Sequence, residues 1–388
     1  MSLFLSEDQL AIRDAIGKLC ADFDPDYWLD ADNDGRFPQE FVDAVAAGGW
    51  LGIAMPEEFG GSGLGITEAA LMMQAVTESG AGFSGASAIH LNVFGLNPVV
   101  VFGSDEQKRR MLPPMLSGEK AACFGVTEPN AGLDTLSLTT RAERSGDGYV
   151  VNGQKHWTSM AQRADKILLL ARTTPKDEVE KRTHGLSLFF TDFNRDYVEV
   201  REISKMGRKA VDSNAVFFDN LPIPREDLIG EEGKGFHYIL HGLNPERILL
   251  AAEAVGLGRA ALRRACDYAK ERVVFNRPIG QNQAIQHPLA KCWIDLEAAE
   301  LLAYNAAMLY DAGGECGAQA NAAKYFAAEA GFHACEQAVL THGGMGYAKE
   351  YHVERYMREM MIPRIAPVSR EMILNYISER VLDLPRSY

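Results

Sequence analysis

Residues 242–275 read GLNPERILLAAEAVGLGRAALRRACDYAKERVVF, and how this stretch folds decides the architecture. Ile248, Leu249, Ala252, Val255 and Leu262 fall on or near one helical stripe, and the Ala and Leu content favours a long helix. Asn244 suits an N-cap, and Pro245 suits the first helical position. Phe236, Ile239, Leu240 and Leu243 carry the same spacing upstream. The spacing also predicts a helix from Gly235 that kinks at Pro245, which has no N–H to give to residue 241. Glu246 sits at this junction. As a first-turn glutamate it would complement the helix dipole, which lowers its pKa. As a carboxylate in a dry pocket it would have a raised pKa and could serve as a general base. This stretch alone leaves both readings open.

Helical patterns continue to the C-terminus at about 283–312, 317–341 and 350–382. With 235–272 they suggest a four-helix bundle over residues 235–388. Upstream, between 121 and 234, the period changes. AACFGVTEP, GYVVNGQKHWTS, KILLLART, GLSLFFTDF, VEVREI and NAVFFDNLPI are short runs punctuated by Asn-Gly, Asp-Gly and Pro, which predicts a middle antiparallel β domain. The polar segment TTPKDEVEKRTHG reads as an exposed hairpin loop. Residues 1–120 read as an N-terminal helical domain. Ser6 with Gln9 forms a capping box, FPQEFVDAVAAGGW and Thr67 to Glu78 are further helices, and a short helix follows Ser104. The fold class is therefore α+β in three parts.

The chain has 388 residues, 47% hydrophobic and 24% charged, an ordinary globular composition. Its formal net charge of -14 argues against nucleic acid or anionic membrane as the main partner. No run of about 18 uninterrupted apolar residues is evident, because His90, Asn92, Asn97 and Pro98 break the apolar region 86–102. The six cysteines form no CxxC, which reads as reduced thiols in a cytoplasmic chain. Two patterns invite over-reading. VGLGRAA at 255–261 matches a dinucleotide pattern but lies inside a helical period with no strand before it, so its glycines are read as helix-packing residues. His237 and His241 share a spacing that could hold a metal, but no carboxylate ligand accompanies them, and no metal is expected.

Four motifs carry chemistry. FGVTEPNAGLD runs from Phe124 to Asp134, a strand entering a turn whose N–H groups and hydroxyl can meet a heterocycle or a phosphate. NGQKHWTS places Trp157 and Ser159 two residues apart, on one face of a strand, which suits a flat aromatic cofactor. ERVVFNRPIGQNQAIQH puts Arg272 at a helix end and Phe275 beside it. THGGMGY is a glycine-rich break that permits close backbone approach.

In order and spacing these motifs resemble the acyl-CoA dehydrogenase family of FAD flavoproteins, over essentially the whole chain. The resemblance implies FAD between the β domain and the bundle, in a homotetramer whose neighbouring subunit completes the site. Phe124, Val126, Thr127 and Gly132 would line flavin and pyrophosphate; Trp157 and Ser159 would flank the flavin ring. Arg272, Phe275, Gln283, Gly343, Gly344 and Ser369 would hold the ribityl-adenine portion. Leu133, Asn244 and Arg247 would meet the acyl-CoA substrate. Leu133, Val274 and Leu340 stand where many members have Ser, Thr and Gln.

Many members carry the catalytic base as Glu in a YEGT motif, where this chain has IAPVS with Pro367. Isovaleryl-type and long-chain-type members place it on the long helix, and NPERILLA matches that pattern, so Glu246 inherits the role, with Glu253 as the fallback. The resemblance then implies α,β-dehydrogenation of an acyl-CoA to a 2-enoyl-CoA, with an electron-transfer flavoprotein as acceptor. A flavin oxidase or oxygenase on the same fold, or a non-catalytic acyl-CoA-binding homologue, are the alternatives. Proline has no N–H, so the backbone donor expected at residue 367 for the thioester carbonyl is missing. The Val368 N–H is the expected substitute, ahead of a side chain such as Arg364 or Ser369.

Overall fold

The computed structural model describes residues 5–387. Eight helices lead: α1 Glu7–Ala21, α2 Pro25–Asp34, α3 Gln39–Ala47, α4 Ile66–Val76, α5 Gly82–His90, α6 Asn97–Phe102, α7 Asp105–Met111 and α8 Pro113–Leu116. The expected capping box forms at Ser6, and the short helix after Ser104 has one as well. The Gln9 N–H donates to Ser6 Oγ at 3.2 Å and the Gln107 N–H to Ser104 Oγ at 3.2 Å, each with the reciprocal bond. The sequence reading missed α2, a strongly acidic segment. Asp24 caps it, and its Trp28 is buried in the core, so packing rather than a clean apolar stripe fixes it. It also missed α5 and α6, which lie in the apolar region 86–102.

The whole run Ile66–Phe102 is long and apolar enough to cross a membrane by length and composition alone, contrary to the expectation of no such segment. Here it is interrupted at Gly80 and Gly82, both at positive φ, and its buried residues join the core shared with the C-terminal helices.

The middle strands are β1 Ala122–Gly125, β2 Arg141–Ser145, β3 Gly148–Ser159, β4 Lys166–Arg172, β5 Leu186–Asp192, β6 Val198–Glu202, β7 Ser213–Ile223 and β8 Leu228–Ile229. They form one sheet in the order β6-β7-β3-β2-β4-β5-β8, with β1 also on β4. The sheet is mostly antiparallel, but β1 and β2 each pair with β4 in parallel, which corrects the all-antiparallel expectation. Parallel pairing needs both faces covered, and β4 is buried along nearly its full length. Alternate residues separate two cores. Ile167, Leu169 and Phe189 face the interior of the β domain, while Leu168, Leu170 and Phe190 pack against Leu96, Val99, Leu112 and Ile239. The polar 173–185 segment joins β4 to its antiparallel neighbour β5, as expected.

Helices then return as α9 Gly235–His241 and α10 Leu243–Glu271, followed by a small hairpin of β9 Val273–Val274 and β10 Arg277–Pro278. Next come α11 Gln283–Asp311, α12 Gly317–His342, α13 Val353–Glu359, α14 Ile362–Ile365 and α15 Arg370–Arg380. The joint between α9 and α10 lies at Gly242, so Pro245 sits within the first turn of α10, and Asn244 is helical rather than an N-cap. The expected fourth helix is three short ones, broken near the prolines at 363 and 367.

The N-terminal helices and the bundle share one core, in which Trp28, Phe41 and Leu71 belong with Leu249 and Leu257. Asp311, at the end of α11, caps α4 across the two regions, accepting from the Ile66 and Thr67 N–H groups at 2.8 and 2.9 Å and from Thr67 Oγ1 at 2.6 Å. The glycines of VGLGRAA do pack helices. A Cβ on Gly258 would lie 2.7 Å from Leu296 and 3.0 Å from the Gly331 backbone, and one on Gly256 would strike Thr77 and the Gln74 carbonyl.

Replacing Gly256 with Val should therefore overpack the contact of α10 with α4 and cost about 1–3 kcal/mol or more. A lowered urea midpoint checks this; an unchanged midpoint would mean that the helices separate freely here.

Candidate active site

β1 ends at Gly125, and the chain enters the turn read from FGVTEPNAGLD. Glu128 and Ala131 close it through reciprocal backbone bonds of 3.2 and 3.1 Å, leaving Pro129 and Asn130 at the tip. The Glu128 carboxylate is buried beneath. It accepts from Lys155 Nζ at 2.9 Å, from Thr139 N at 2.6 Å and Oγ1 at 2.9 Å, and from the Thr140 N–H at 2.9 Å. Lys155 also donates to the Val126 carbonyl at 3.0 Å, and the His156 N–H donates to the Thr127 carbonyl at 2.8 Å. The first two motifs are thus bolted together. Burial alone would raise the Glu128 carboxyl, but Lys155 and the Thr139–Thr140 donors outweigh it and hold it at about 2. Burial lowers Lys155 to about 8 despite Glu128.

β3 carries Trp157 and Ser159, but not as a regular strand. Its register against β7 shifts between Lys155 and Thr158, and Trp157 has φ 61°. This bulge leaves the indole 54% exposed and corrects the picture of two side chains projecting from one flat strand face. Ser159 Oγ accepts from Arg208 Nη2 at 3.2 Å.

Phe124, Val126 and Thr127 are half-buried, whereas Arg272 and Phe275 lie on the surface. Arg272 ends α10, and Phe275 and Asn276 form the tip of the β9–β10 hairpin, both at positive φ. Phe275 is 94% exposed, so nothing in its own chain covers it. Gln283, Gly343 and Gly344 are exposed as well, and a Cβ on either of those glycines or on Gly132 would meet nothing within 4 Å. Ser369 instead caps α15, its Oγ accepting from the Met372 N–H at 3.4 Å.

Glu246 lies in the first turn of α10. It keeps a partly accessible surface, yet protein surrounds its carboxyl. Burial raises it to about 6, against the pull of His90, Arg247 and Lys324. Burial therefore overrides the expected dipole effect. Arg247 Nη1 donates to Asn244 Oδ1 at 3.0 Å, which brings two of the expected substrate residues together, whereas Leu133 is exposed on the turn after β1. Lys324 reaches from α12 to the Val368 carbonyl at 2.7 Å, tying the Pro367 loop toward Glu246. Arg364 is engaged by Glu329 at 2.8 Å, and Ser369 by its own helix. Among the described residues, the Val368 N–H donates to no protein acceptor.

Sequence reasoning missed His90, Arg208 and Lys324. His90 Nδ1 lies 2.6 Å from Glu253 Oε1, and Arg208 bridges Ser87, Ser159 and Ser213. The one signal for His90 was that it interrupts an apolar run. Arg208 lies within the loop 203–212 that joins β6 to β7 and had none.

Comparison with known proteins completes the picture. The acyl-CoA dehydrogenase N-terminal, middle and C-terminal domain families match residues 6–119, 123–221 and 233–382. This chain belongs to the acyl-CoA dehydrogenase family. Acyl-CoA dehydrogenase FadE12 of Mycobacterium tuberculosis is 38% identical, over 100% of this chain and 99% of that protein. The structure of butyryl-CoA dehydrogenase from Megasphaera elsdenii superposes with a TM-score of 0.93 at 29% identity, covering 98% of this chain and 100% of the other. The FAD complex of PigA superposes with a TM-score of 0.92 at 26% identity, covering 98% of this chain and 99% of the other. The protein is an oxidoreductase, and its cofactor is FAD. The residues fit that group. Trp157 offers a half-open indole face, and the exposed glycines leave room where a side chain would intrude.

Lys155→Met would strand the buried Glu128 carboxylate and should cost about 3–5 kcal/mol. Thermal unfolding and flavin absorbance should fall together. Because Glu128 titrates well below its ordinary value in the folded chain, its contribution is present above about pH 4.5 and is lost as pH falls toward about 2. An unchanged melting temperature would show that the pair does not brace the turn.

Proposed function

We propose that this chain is an acyl-CoA dehydrogenase in which Glu246 removes the α-proton of a CoA thioester, yielding a 2-enoyl-CoA. One observation carries the reading: Glu246 is an enclosed carboxyl raised to about 6, so at neutral pH it is ionised yet basic enough to take a proton. FAD, when bound, accepts the hydride leaving the β-carbon. Phe124, Val126, Thr127, Gly132, Trp157 and Ser159 hold it from the β domain. Arg272, Phe275, Gln283, Gly343 and Gly344 reach its far end from another copy of the chain, with Ser369 at the α15 cap.

Their exposure in one chain supports that division, as does the apolar surface at Trp293, Ile294 and Leu301 of α11. A homotetramer and reoxidation by an electron-transfer flavoprotein complete the proposal. The Val368 N–H, left without a protein acceptor, holds the thioester carbonyl in place of the donor that Pro367 lacks, and Asn244, Arg247 and Leu133 contact the substrate. The division into parts at about residues 120 and 234 is the functional one, with cofactor and substrate between the second and third.

Glu246→Gln should retain flavin and bind acyl-CoA but slow flavin bleaching by about 10²- to 10⁴-fold in anaerobic stopped flow. In the wild type, kcat/KM should fall as pH drops through about 6, where Glu246 becomes protonated. Near wild-type bleaching by the variant would remove Glu246 from the role and turn attention to Glu253.

For the shared cofactor site, Arg272→Ala should lower flavin content and weaken the assembly together, read by absorbance and by light scattering after size exclusion. Full occupancy in an intact assembly would overturn that assignment.

A further inference from the structure

The surroundings of Glu246 contain more unspent hydrogen-bonding capacity than a channel for an alkyl chain needs. Ser87 and His90, three residues apart on α5, share a helix face. Arg208 Nη1 donates to Ser87 Oγ at 3.1 Å, and its Nη2 to Ser159 Oγ and Ser213 Oγ at 3.2 Å each. His90 Nδ1 meets Glu253 Oε1 at 2.6 Å, and Glu253 stands two turns beyond Glu246 on α10. These contacts describe one polar cluster. It runs from the end of β3, through Arg208 and α5, to the face of α10 that carries Glu246.

Three nitrogens in and beside it are buried without a partner: His90 Nε2, Arg208 Nε and Arg247 Nε. The arginine nitrogens can only donate. Burial pulls the His90 imidazole down, but Glu253 outweighs it and raises the imidazole, which favours the form in which both ring nitrogens donate. A buried donor left unmade is costly, so a ligand that fits here supplies oxygen acceptors. The thioester carbonyl brings only one oxygen, which the proposed function already assigns to the Val368 N–H. Phe94 meets His90 edge to face with ring centroids 4.6 Å apart, which helps to hold the imidazole in place.

We propose that this polar cluster selects acyl groups bearing an oxygen acceptor, a carboxylate or carbonyl beyond the thioester, over plain alkyl chains. Arg208 and His90 are the specificity-determining residues, and the inference rests on the proposed dehydrogenation at Glu246. Their four partners, three serines and Glu253, orient the donors, while an alkyl chain in the same space would leave them unsatisfied.

Three five-carbon thioesters test it: glutaryl-CoA, 4-oxopentanoyl-CoA and pentanoyl-CoA. Each is titrated calorimetrically into FAD-loaded Glu246→Gln, which reports binding apart from turnover. At least one oxygenated thioester should bind about tenfold or more tightly than pentanoyl-CoA. Adding Arg208→Lys, which keeps the charge but removes the Nε donor, or His90→Phe, should shrink that ratio about tenfold. Because each ratio is internal to one protein, a partly destabilised variant still reads out.

Pentanoyl-CoA binding as tightly as both others overturns the proposal, and so does a ratio that neither second substitution changes. Flavin bleaching by Glu246→Gln would sink the base assignment while leaving the binding ratios readable. No binding of any of the three would overturn both.

Discussion

Close enclosure of α10 is the constraint on which the rest depends. Its residues from Ile248 to Leu262 are buried with the single exception of Arg259, so it is apolar all round rather than along one stripe. Such a helix needs neighbours on every side, and it finds them in α4, α11 and α12. Gly256 and Gly258 let those neighbours approach to backbone contact. The same enclosure surrounds the Glu246 carboxyl in the first turn and buries Glu253 two turns on. Burial of the helix and the raised basicity of Glu246 are therefore one effect, seen in packing and in chemistry.

A second fixed point lies in the β domain, where Glu128 and Lys155 join two sequence-distant motifs. A buried ion pair is a weak source of stability in itself, since desolvation offsets most of the attraction. Its consequence here is positional. With four donors on Glu128 and two acceptors for Lys155, the turn at 126–131 has one place to sit against β3. The bulge at Trp157 then presents the indole outward from a strand whose other residues are held by the sheet. Rigid support with one exposed aromatic face is what a planar cofactor requires.

The two fixed points meet through Arg208. Its guanidinium touches the end of β3 and helix α5, and α5 is joined to α10 by the His90–Glu253 pair. A side chain on a loop thereby links the strand that carries Trp157 to the helix that carries Glu246. Its burial depresses the guanidinium below its ordinary range, and Glu359, Glu253 and Asp212 oppose that shift. Charges from several elements thus compensate one another at the boundary between the parts.

The sequence by itself determined the succession of helical, β and helical regions, because periodicity and turn residues are local properties. Six strands, the capping box at Ser6, the short helix after Ser104, and the packing role of Gly256 and Gly258 were legible for that reason. So were the motif residues on which the family resemblance rests. The tertiary structure alone decided what depends on contacts between distant segments. Parallel pairing of β1 and β2 with β4, the helix at 25–34, the bulge at Trp157 and the breaks in the last helix all follow from packing or register. The polar cluster is the clearest case. His90 and Glu253 stand 163 residues apart with Arg208 between them, and although the sequence offered Glu253 as a fallback base, no local pattern joins the three. Their chemistry arises because the fold buries all three beside the same helix, where water cannot satisfy them.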